Sequence, residues 1–425
     1  MNKINSILRD VILKIKPSKE EFEEMNKLID DFVNRIDKKI KELKIDAEIF
    51  IGGSFAKKTV IKKDNYDVDV YLRFSREYND EVSEFTKNIL IGMENVSLIH
   101  GSRDYFRIKL REDFIIELIP VIKVKKPEES LNITDLSYSH VKYINKKIKS
   151  EKIKDEIMIT KAFCYANHCY GAESYIKGFS GYAIELLVFY YGGFLKFIKS
   201  ISKANNEKII IDIEKQFKNK KQVMMDLNSS KLQSPIILID PTDKNRNALA
   251  ALSDETFNKF RKIAGDFLKN PSLEAFEKKK TDLEKIKKYA RDKKYGFILL
   301  EAITAKQEGD IAGSKLLKFY EHLSKEIEKS FEIKDKGFNY NEKTAARYFF
   351  VVRNLGEIVV GGPEIKDKKN VEAFKKKHKD YFTKKGKIYS KRIFNLSIKE
   401  FAKKWIEKNL KKIKEMSVVE LRILD

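Results

Sequence analysis

Two aspartates, Asp67 and Asp69, sit in the run Asp67-Val68-Asp69-Val70-Tyr71-Leu72. The alternation of polar and apolar residues reads as a strand. Residues i and i+2 of a strand share a face, so both carboxylates point the same way. Two such charges side by side are costly unless a cation lies between them. Oxygen-only donors suit Mg²⁺, which takes one or two carboxylates and completes its shell with water and substrate phosphates. A third carboxylate, Glu117, interrupts the apolar run Phe114-Ile115-Ile116-Glu117-Leu118-Ile119. A charge inside such a strand is expensive unless it is paired or metal-bound. If this strand lies beside 67–72, the three carboxylates meet at one metal site. The complement is a turn: a strand over 47–51 ends at Gly52-Gly53-Ser54 and leads into a short helix over 54–59. A strand-to-helix turn of this kind offers backbone N–H groups and the Ser54 hydroxyl to a phosphate. Gly53 allows the backbone to approach the anion closely, and Lys57 and Lys58 add positive charge. Phosphates on one side and carboxylate-held metals on the other is the layout for two-metal phosphoryl or nucleotidyl transfer. The chain has no G-x-x-x-x-G-K-[ST] and no G-x-S-x-G, which argues against a P-loop enzyme and a Ser–His–Asp hydrolase.

The elements that must position these residues follow from periodicity. Ile7, Leu8, Val11 and Ile12, then Phe22, Met25, Ile29, Phe32, Ile36 and Ile40, recur at helical spacing on either side of Pro17-Ser18. Residues 81–92 read as a helix, and Tyr105–Leu110 with Phe114–Val124 as a hairpin around Arg111-Glu112-Asp113. The first 145 residues thus form an α+β unit with a small mixed sheet. Residues 140–200 turn helical, with Gly178-Phe179-Ser180-Gly181 preceding an apolar helix. A short strand Pro235–Ile239, a turn at Asp240-Pro241-Thr242-Asp243 and a helix 253–269 follow. Asn270-Pro271-Ser272 marks a boundary. Beyond it the pattern predicts a helix 273–294, a strand Tyr295–Thr304, a helix 312–330, strands near 345–360, a basic segment 366–387 and a final helix 398–414. The expected division is 1–145, 146–265 and 266–425.

The chain of 425 residues carries 87 Lys+Arg against 64 Asp+Glu, a formal net charge of +23. That surplus suits a polyanionic partner such as nucleic acid. Only 14 of the basic residues are Arg, and a chain-wide bias toward Lys, Ile and Asn gives the same surplus. Cys164 and Cys169 are too few for a disulfide framework or a zinc ribbon and read as buried small residues. No signal peptide opens the chain and no apolar stretch reaches 18 residues. The longest, Tyr182–Phe197, carries Glu185 and Lys196. A soluble, cytoplasmic protein with no membrane partner is expected.

The segment Gly53-Ser54-x-Ala56-Lys57 with Asp67-x-Asp69 resembles the signature of the polymerase-β-like nucleotidyltransferases. Further segments resemble, in collinear order, the archaeal (class I) CCA-adding tRNA nucleotidyltransferases. These are Lys161-Ala162-Phe163, Tyr170-Gly171-Ala172-Glu173, Gly178–Tyr182 with Glu185-Leu186-Leu187, Asp240-Pro241-x-Asp243-x-x-Arg246-Asn247, Pro271-Ser272-Leu273 and Gly362-Pro363-Glu364 with Asn370-Val371. The resemblance implies an α+β multidomain protein: a nucleotidyltransferase head, a helical central domain that selects the nucleotide, and an α+β body and tail that bind tRNA. It puts Asp67, Asp69 and Glu117 on the family's metal carboxylates, with two Mg²⁺ ions as cofactors. It puts Gly53, Ser54 and Lys57 on the triphosphate loop, and His140, Lys161 and Tyr170 on further nucleotide contacts. Arg246 falls on the Arg that reads the base edge with help from the third carboxylate. The implied activity is untemplated addition of C, C and A to the tRNA 3′ end from CTP and ATP, with the acceptor and T stems as the bound region and a homodimer as the assembly. A poly(A)-polymerase-like or oligoadenylate-type transferase, and a non-catalytic RNA-binding protein with a decayed head, are the alternatives. Two departures stand out. Glu117 replaces the family's usual Asp, which shifts the carboxylate by about 1.5 Å. Lys57 replaces its usual Arg, which removes any bidentate phosphate contact. The lysine-rich stretches 277–280 and 375–379 read as solvated faces. The second has Phe374, Tyr381 and Phe382 as neighbours and suits an RNA backbone with one stacked base.

Overall fold

The change from helical spacing to alternation after residue 45 marks where the first sheet begins. The computed structural model describes residues 2–62, 65–101, 103–205, 207–278, 281–305, 308–341 and 343–424. Helices α1 (Asn2–Ile15) and α2 (Lys19–Leu43) form on either side of Pro17. Ser18 starts α2 with a capping box: its hydroxyl accepts the Glu21 N–H at 3.1 Å, and Glu21 accepts the Ser18 N–H at 2.6 Å. A cap of this kind contributes about 1 kcal/mol. Then come β1 (Ala47–Ile51), the single turn α3 (Gly53–Ala56), β2 (Tyr66–Phe74), α4 (Val82–Ile89), β3 (Val96–Ile99), β4 (Tyr105–Arg111) and β5 (Phe114–Ile122). The strands pair in the order β1-β2-β5-β4-β3, with β2 and β5 parallel and the other pairs antiparallel. The sheet is mixed, as the sequence predicts. Val68, Val70, Leu72, Ile116 and Leu118 share a core with Met25, Ile29, Phe32, Ile36 and Ile40 of α2. Each such side chain stabilises the fold by roughly 1.5–3 kcal/mol when fully buried. This apolar face fixes the register, and the register turns the intervening polar residues to the opposite face.

Residues 137–269 supply α5 (Ser137–Lys147), α6 (Glu151–Ala166), α7 (Gly181–Tyr191), α8 (Phe194–Ser202), β6 (Ile209–Asp212), α9 (Lys220–Asp226), β7 (Ile236–Asp240), β8 (Asp243–Asn247) and α10 (Asp254–Lys269). Phe163, Phe179, Phe194, Phe197 and Phe260 centre a second core, which also buries Cys164 and Cys169 as free thiols. Ile7, Leu8 and Val11 of α1 belong to this core, not to that of the head sheet. The chain divides into two units, Met1–Lys279 and Lys280–Asp425. The expected head and central regions therefore lie in one unit. No single described helix is long and apolar enough to cross a membrane. Helices α7 and α8 reach that hydropathy together, but they bend by 92° and carry much of this core.

The second unit contains α11 (Leu283–Asp292), β9 (Gly296–Thr304), α12 (Gly309–Glu328), β10 (Phe331–Tyr340), β11 (Ala345–Asn354), β12 (Glu357–Glu364), α13 (Lys368–Lys377), β13 (Tyr381–Lys384), β14 (Lys387–Ile393), α14 (Ile398–Glu415) and β15 (Val418–Ile423). One sheet runs β10-β11-β9-β15 and another β12-β14-β13. The helix predicted over 273–294 is instead a 3₁₀ turn, Leu273–Phe276, followed by α11. Asp282 restarts it by accepting the Lys285 N–H at 2.9 Å. Of the stretch 277–280, Lys279 and Lys280 lie outside the described residues. The basic segment 366–387 is ordered as α13, β13 and the start of β14. The Lys375 ammonium lies 5.4 Å from the Tyr381 ring, and Phe382 stacks on Tyr389 at 5.6 Å.

Candidate active site

The parallel pairing of β2 and β5 sets Asp69 opposite Glu117 and Asp67 opposite Ile115. Asp67, Asp69 and Glu117 alternate with Val68, Val70, Ile116 and Leu118, so they occupy the face away from α2. The strand β4 adds Arg107 opposite Glu117, and its Nη2 donates to Glu117 Oε1 at 2.9 Å. Among the described residues no three His, Cys, Asp or Glu side chains close into a preformed cage. The donor set nonetheless fits a hard divalent cation, which needs only one or two carboxylates when substrate phosphates complete its shell. The electrostatics agree. The Tyr105 hydroxyl is pushed up to about 12, first by burial and then by the negative fields of Glu117, Asp67 and Asp69. Tyr71 is pushed up as well, by burial and then by Asp69. One patch of negative potential spans the three carboxylates.

The turn after β1 is tied to this face. The Gly52 N–H donates to the Asp69 carbonyl at 2.8 Å. A Cβ on Gly52 would lie 2.3 Å from the Tyr71 ring, and one on Gly53 would lie 1.8 Å from Asp69 Oδ2. Gly53 also has φ +60°. Only glycine fits at both positions, because the loop must press against the aspartate-bearing strand. Helix α3 is one turn long, so its capacity for an anion lies in local N–H groups and the Ser54 hydroxyl, not in a macrodipole. Ser54 lines a pocket with Thr59, Asn65, Asp67, Lys161 and Tyr170. The turn thus sits next to both aspartates and to two residues from far along the chain.

Lys57 is placed differently from the other loop residues. It is buried, and its ammonium donates to Glu185 Oε2 at 2.6 Å. Lys161, on α6, is also buried. It donates to Glu185 Oε1 at 2.8 Å, to Thr59 Oγ1 at 2.8 Å and to the Thr59 carbonyl at 3.3 Å. Burial pushes the Glu185 carboxyl up, but Lys161 and Lys57 more than reverse this and hold it at about 2. Tyr170 stands over the start of α7: a Cβ on Gly181 would lie 2.9 Å from its hydroxyl.

His140 and Arg246 form a separate cluster. Both reach Asp240, which is fully buried at the end of β7. His140 Nε2 lies 3.0 Å from Asp240 Oδ2, and Arg246 Nη1 donates to the same oxygen. Tyr182 donates to Oδ1 at 3.0 Å and stacks on the His140 ring at 4.1 Å. Burial lowers the His140 pKa and Asp240 partly restores it, which favours neutral imidazole. Arg246 Nε is buried without a hydrogen-bond partner among the described residues. The described partner of Arg246 is thus Asp240, where the resemblance implies the third carboxylate. Sequence reasoning missed Arg107, and it gave Tyr182, Glu185 and Asp240 no role of their own although they lie in segments that carry the resemblance. A signal existed for Glu185: a charge within an apolar helix needs a buried partner, the same argument that singles out Glu117.

The fold resembles that of the Cid1 poly(U) polymerase bound to Mg and 3′-dATP, with a TM-score of 0.51 at 13% identity over 65% of this chain and 99% of that one. At that identity the likeness is one of fold. Residues 155–277 match the family "tRNA nucleotidyltransferase, second domain". The chain is 37% identical over 243 residues to the CCA-adding enzyme of Nanoarchaeum equitans, an alignment covering 57% of this chain and 59% of that enzyme. It is 29% identical over 403 residues to the CCA-adding enzyme of Methanocaldococcus jannaschii, covering 91% and 87%. Residues 155–277 thus carry the second domain of a tRNA nucleotidyltransferase, and over 91% of its length the chain is similar to an archaeal CCA-adding enzyme.

Proposed function

We propose that this protein extends the tRNA 3′ end by C, C and A from CTP and ATP, with Asp67, Asp69 and Glu117 as the residues that hold two Mg²⁺ ions. The observation that carries the reading is the register that sets Glu117 beside Asp69 on the face where Gly53 presses against Asp69. When bound, the metals supply charge neutralisation at the reacting and leaving oxygens. The chain's own residues bind and orient. Ser54 and the adjacent N–H groups receive the phosphates, Lys161 brings positive charge to the same pocket, and Tyr170 walls it. The bond between the tRNA 3′ oxygen and the α-phosphorus forms as the bond to the β-phosphate oxygen breaks, and pyrophosphate leaves. Arg246, held by Asp240 with His140 beside it, presents the exposed part of its guanidinium to the cytosine or adenine edge. The region from 266 onward is read as the tRNA-binding body, which grips acceptor and T stems through shape and phosphate contacts. A cytoplasmic homodimer completes the reading; sedimentation checks the assembly.

The test is incorporation by purified protein on tRNA lacking one, two or all three terminal nucleotides, with each NTP supplied separately. Addition of C, C and A followed by a stop is the expected result. Open-ended A addition, or no Mg²⁺-dependent incorporation on any substrate, refutes it.

A further inference from the structure

The buried Glu185 accepts from two ammonium groups and a hydroxyl, and it has no assigned role in the reaction. It is 0% exposed on the apolar helix α7. Oε2 accepts Lys57 Nζ at 2.6 Å; Oε1 accepts Lys161 Nζ at 2.8 Å and the Thr59 hydroxyl at 2.9 Å. The backbone that delivers two of these donors is bent to do so. Lys58, between Lys57 and Thr59, is exposed and has φ +55°, while both flanking side chains are buried. Only one of the two lysines, Lys161, also lines the pocket that holds Ser54 and Asp67. Lys57 does not.

We infer that Glu185 is a positioning residue for the phosphate end of the pocket. It uses Lys57 and Thr59 to hold the Lys161 ammonium at the pocket wall. The inference rests on the reading that this pocket receives the triphosphate. One carboxylate between two ammonium groups leaves a single net positive charge and fixes where it stands. A long, flexible lysine is otherwise a poorly placed donor. The arrangement also accounts for lysine at position 57. A bidentate fork is unnecessary there, because the ammonium serves one carboxylate oxygen and not a phosphate. Without Glu185, the two ammonium groups lose the carboxylate that stands between them, which favours loss of a proton from one of them. Phosphate affinity then falls.

The test measures inorganic pyrophosphate binding by titration calorimetry, together with KM and kcat for ATP and CTP. Glu185→Gln is expected to weaken pyrophosphate binding and raise both KM values by about tenfold or more, with a smaller change in kcat. Thr59→Val leaves every charge in place and removes one acceptor from Lys161. It is expected to weaken pyrophosphate binding by roughly threefold. Glu185→Gln that melts normally and binds pyrophosphate within twofold of the parent overturns the inference. Should that variant fail to fold, unchanged pyrophosphate affinity in Thr59→Val overturns it. Lys161→Ala separates the two levels. If it too leaves pyrophosphate affinity unchanged, the pocket reading itself fails. If it weakens binding while the other variants do not, only the role of Glu185 falls.

Discussion

The two charged regions of the first unit are built on opposite principles. On the β2/β5 face, three carboxylates stand at partly exposed positions of adjacent strands, and the register alone aligns them. Around Glu185, the charges are buried and are held by partners 24, 126 and 128 residues away in sequence. Negative groups at a solvent-facing surface keep part of their hydration, and Arg107 offsets one of them. Positive groups inside the protein persist only where an anion is buried with them. The first region is therefore built for exchange, the second for permanence, and the substitutions below probe that contrast.

The largest difference should appear on replacing Asp67. Asp67→Ala is expected to lower nucleotide incorporation by about a thousandfold. Its stability to urea should stay within about 0.5 kcal/mol of the parent, because the position is exposed and the change relieves repulsion with Asp69. A stability loss of several kcal/mol would show that this face is structural and would erase the contrast. Lys161→Met makes the opposite case. Breaking a buried pair by removing one partner costs about 3–5 kcal/mol, so its urea midpoint should fall sharply as well as its activity. A variant as stable as the parent would mean that the pair contributes nothing to the fold.

Selectivity separates a third cluster from both. Arg246 is held by the buried Asp240 yet remains partly exposed. Arg246→Ala should reduce the preference for C and A over G and U by about tenfold or more, with a lesser effect on the rate of correct addition. Competition between labelled nucleotides measures this. A simple fall in rate with unchanged selectivity would move Arg246 from the reading of bases to structure.

These regions were not equally legible in the sequence. The carboxylate face was legible in part: a period of two puts Asp67 and Asp69 on one face and sets Glu117 apart in an apolar strand, but the pairing that brings Glu117 beside Asp69 is long-range. The helices on either side of Pro17 and the glycine turn were legible as well. Glu185 was not. In the sequence it lies in a segment that carries the resemblance but has no visible role, since its partners come from Lys57 and Thr59, just after α3, and from Lys161 of α6. Asp240 reads as a turn residue, and β8, which carries Arg246, is too polar to look like a strand. The strand β15 depends on a long-range pairing with β9 that periodicity does not report, whereas β13 and β14 form a local hairpin hidden by the lysines of its segment. Arg107 shows the same limit. Its pairing with Glu117 exists only because β4 lies beside β5 in that register. The departure from Asp to Glu at 117 thereby acquires a local context: the longer carboxylate is charge-paired across the strand.

Acid sharpens the comparison without a mutation. The Glu185 pKa is depressed in the fold from 4.5 to about 2. A depressed carboxyl contributes stability that is present above its unfolded value and is lost as pH falls through the folded one. Asp240 is shifted in the same direction, against its own burial and through His140 and Arg246. The first unit should therefore lose stability progressively from about pH 4.5 down to 2, followed by tryptophan-independent far-UV circular dichroism. In Asp67→Ala that acid slope should be preserved. In Glu185→Gln it should be shallower. Equal slopes in all three proteins would mean that the buried carboxylates do not dominate the acid response.

The smallest effect lies in the strap between the two regions. Lys58 adopts the left-handed conformation that turns Lys57 and Thr59 inward, with its own side chain in solvent. That conformation costs a non-glycine residue roughly 1–2 kcal/mol. Glycine removes the strain but adds freedom to the unfolded chain, which offsets part of the gain. Lys58→Gly should therefore stabilise the protein by about 0.5 kcal/mol, read from the urea midpoint. Lys58→Val should destabilise it by more than that, because a β-branched side chain tolerates positive φ poorly. If valine at 58 is neutral, the strap does not need its bend. The inward aim of Lys57 and Thr59 would then be set by Glu185 alone.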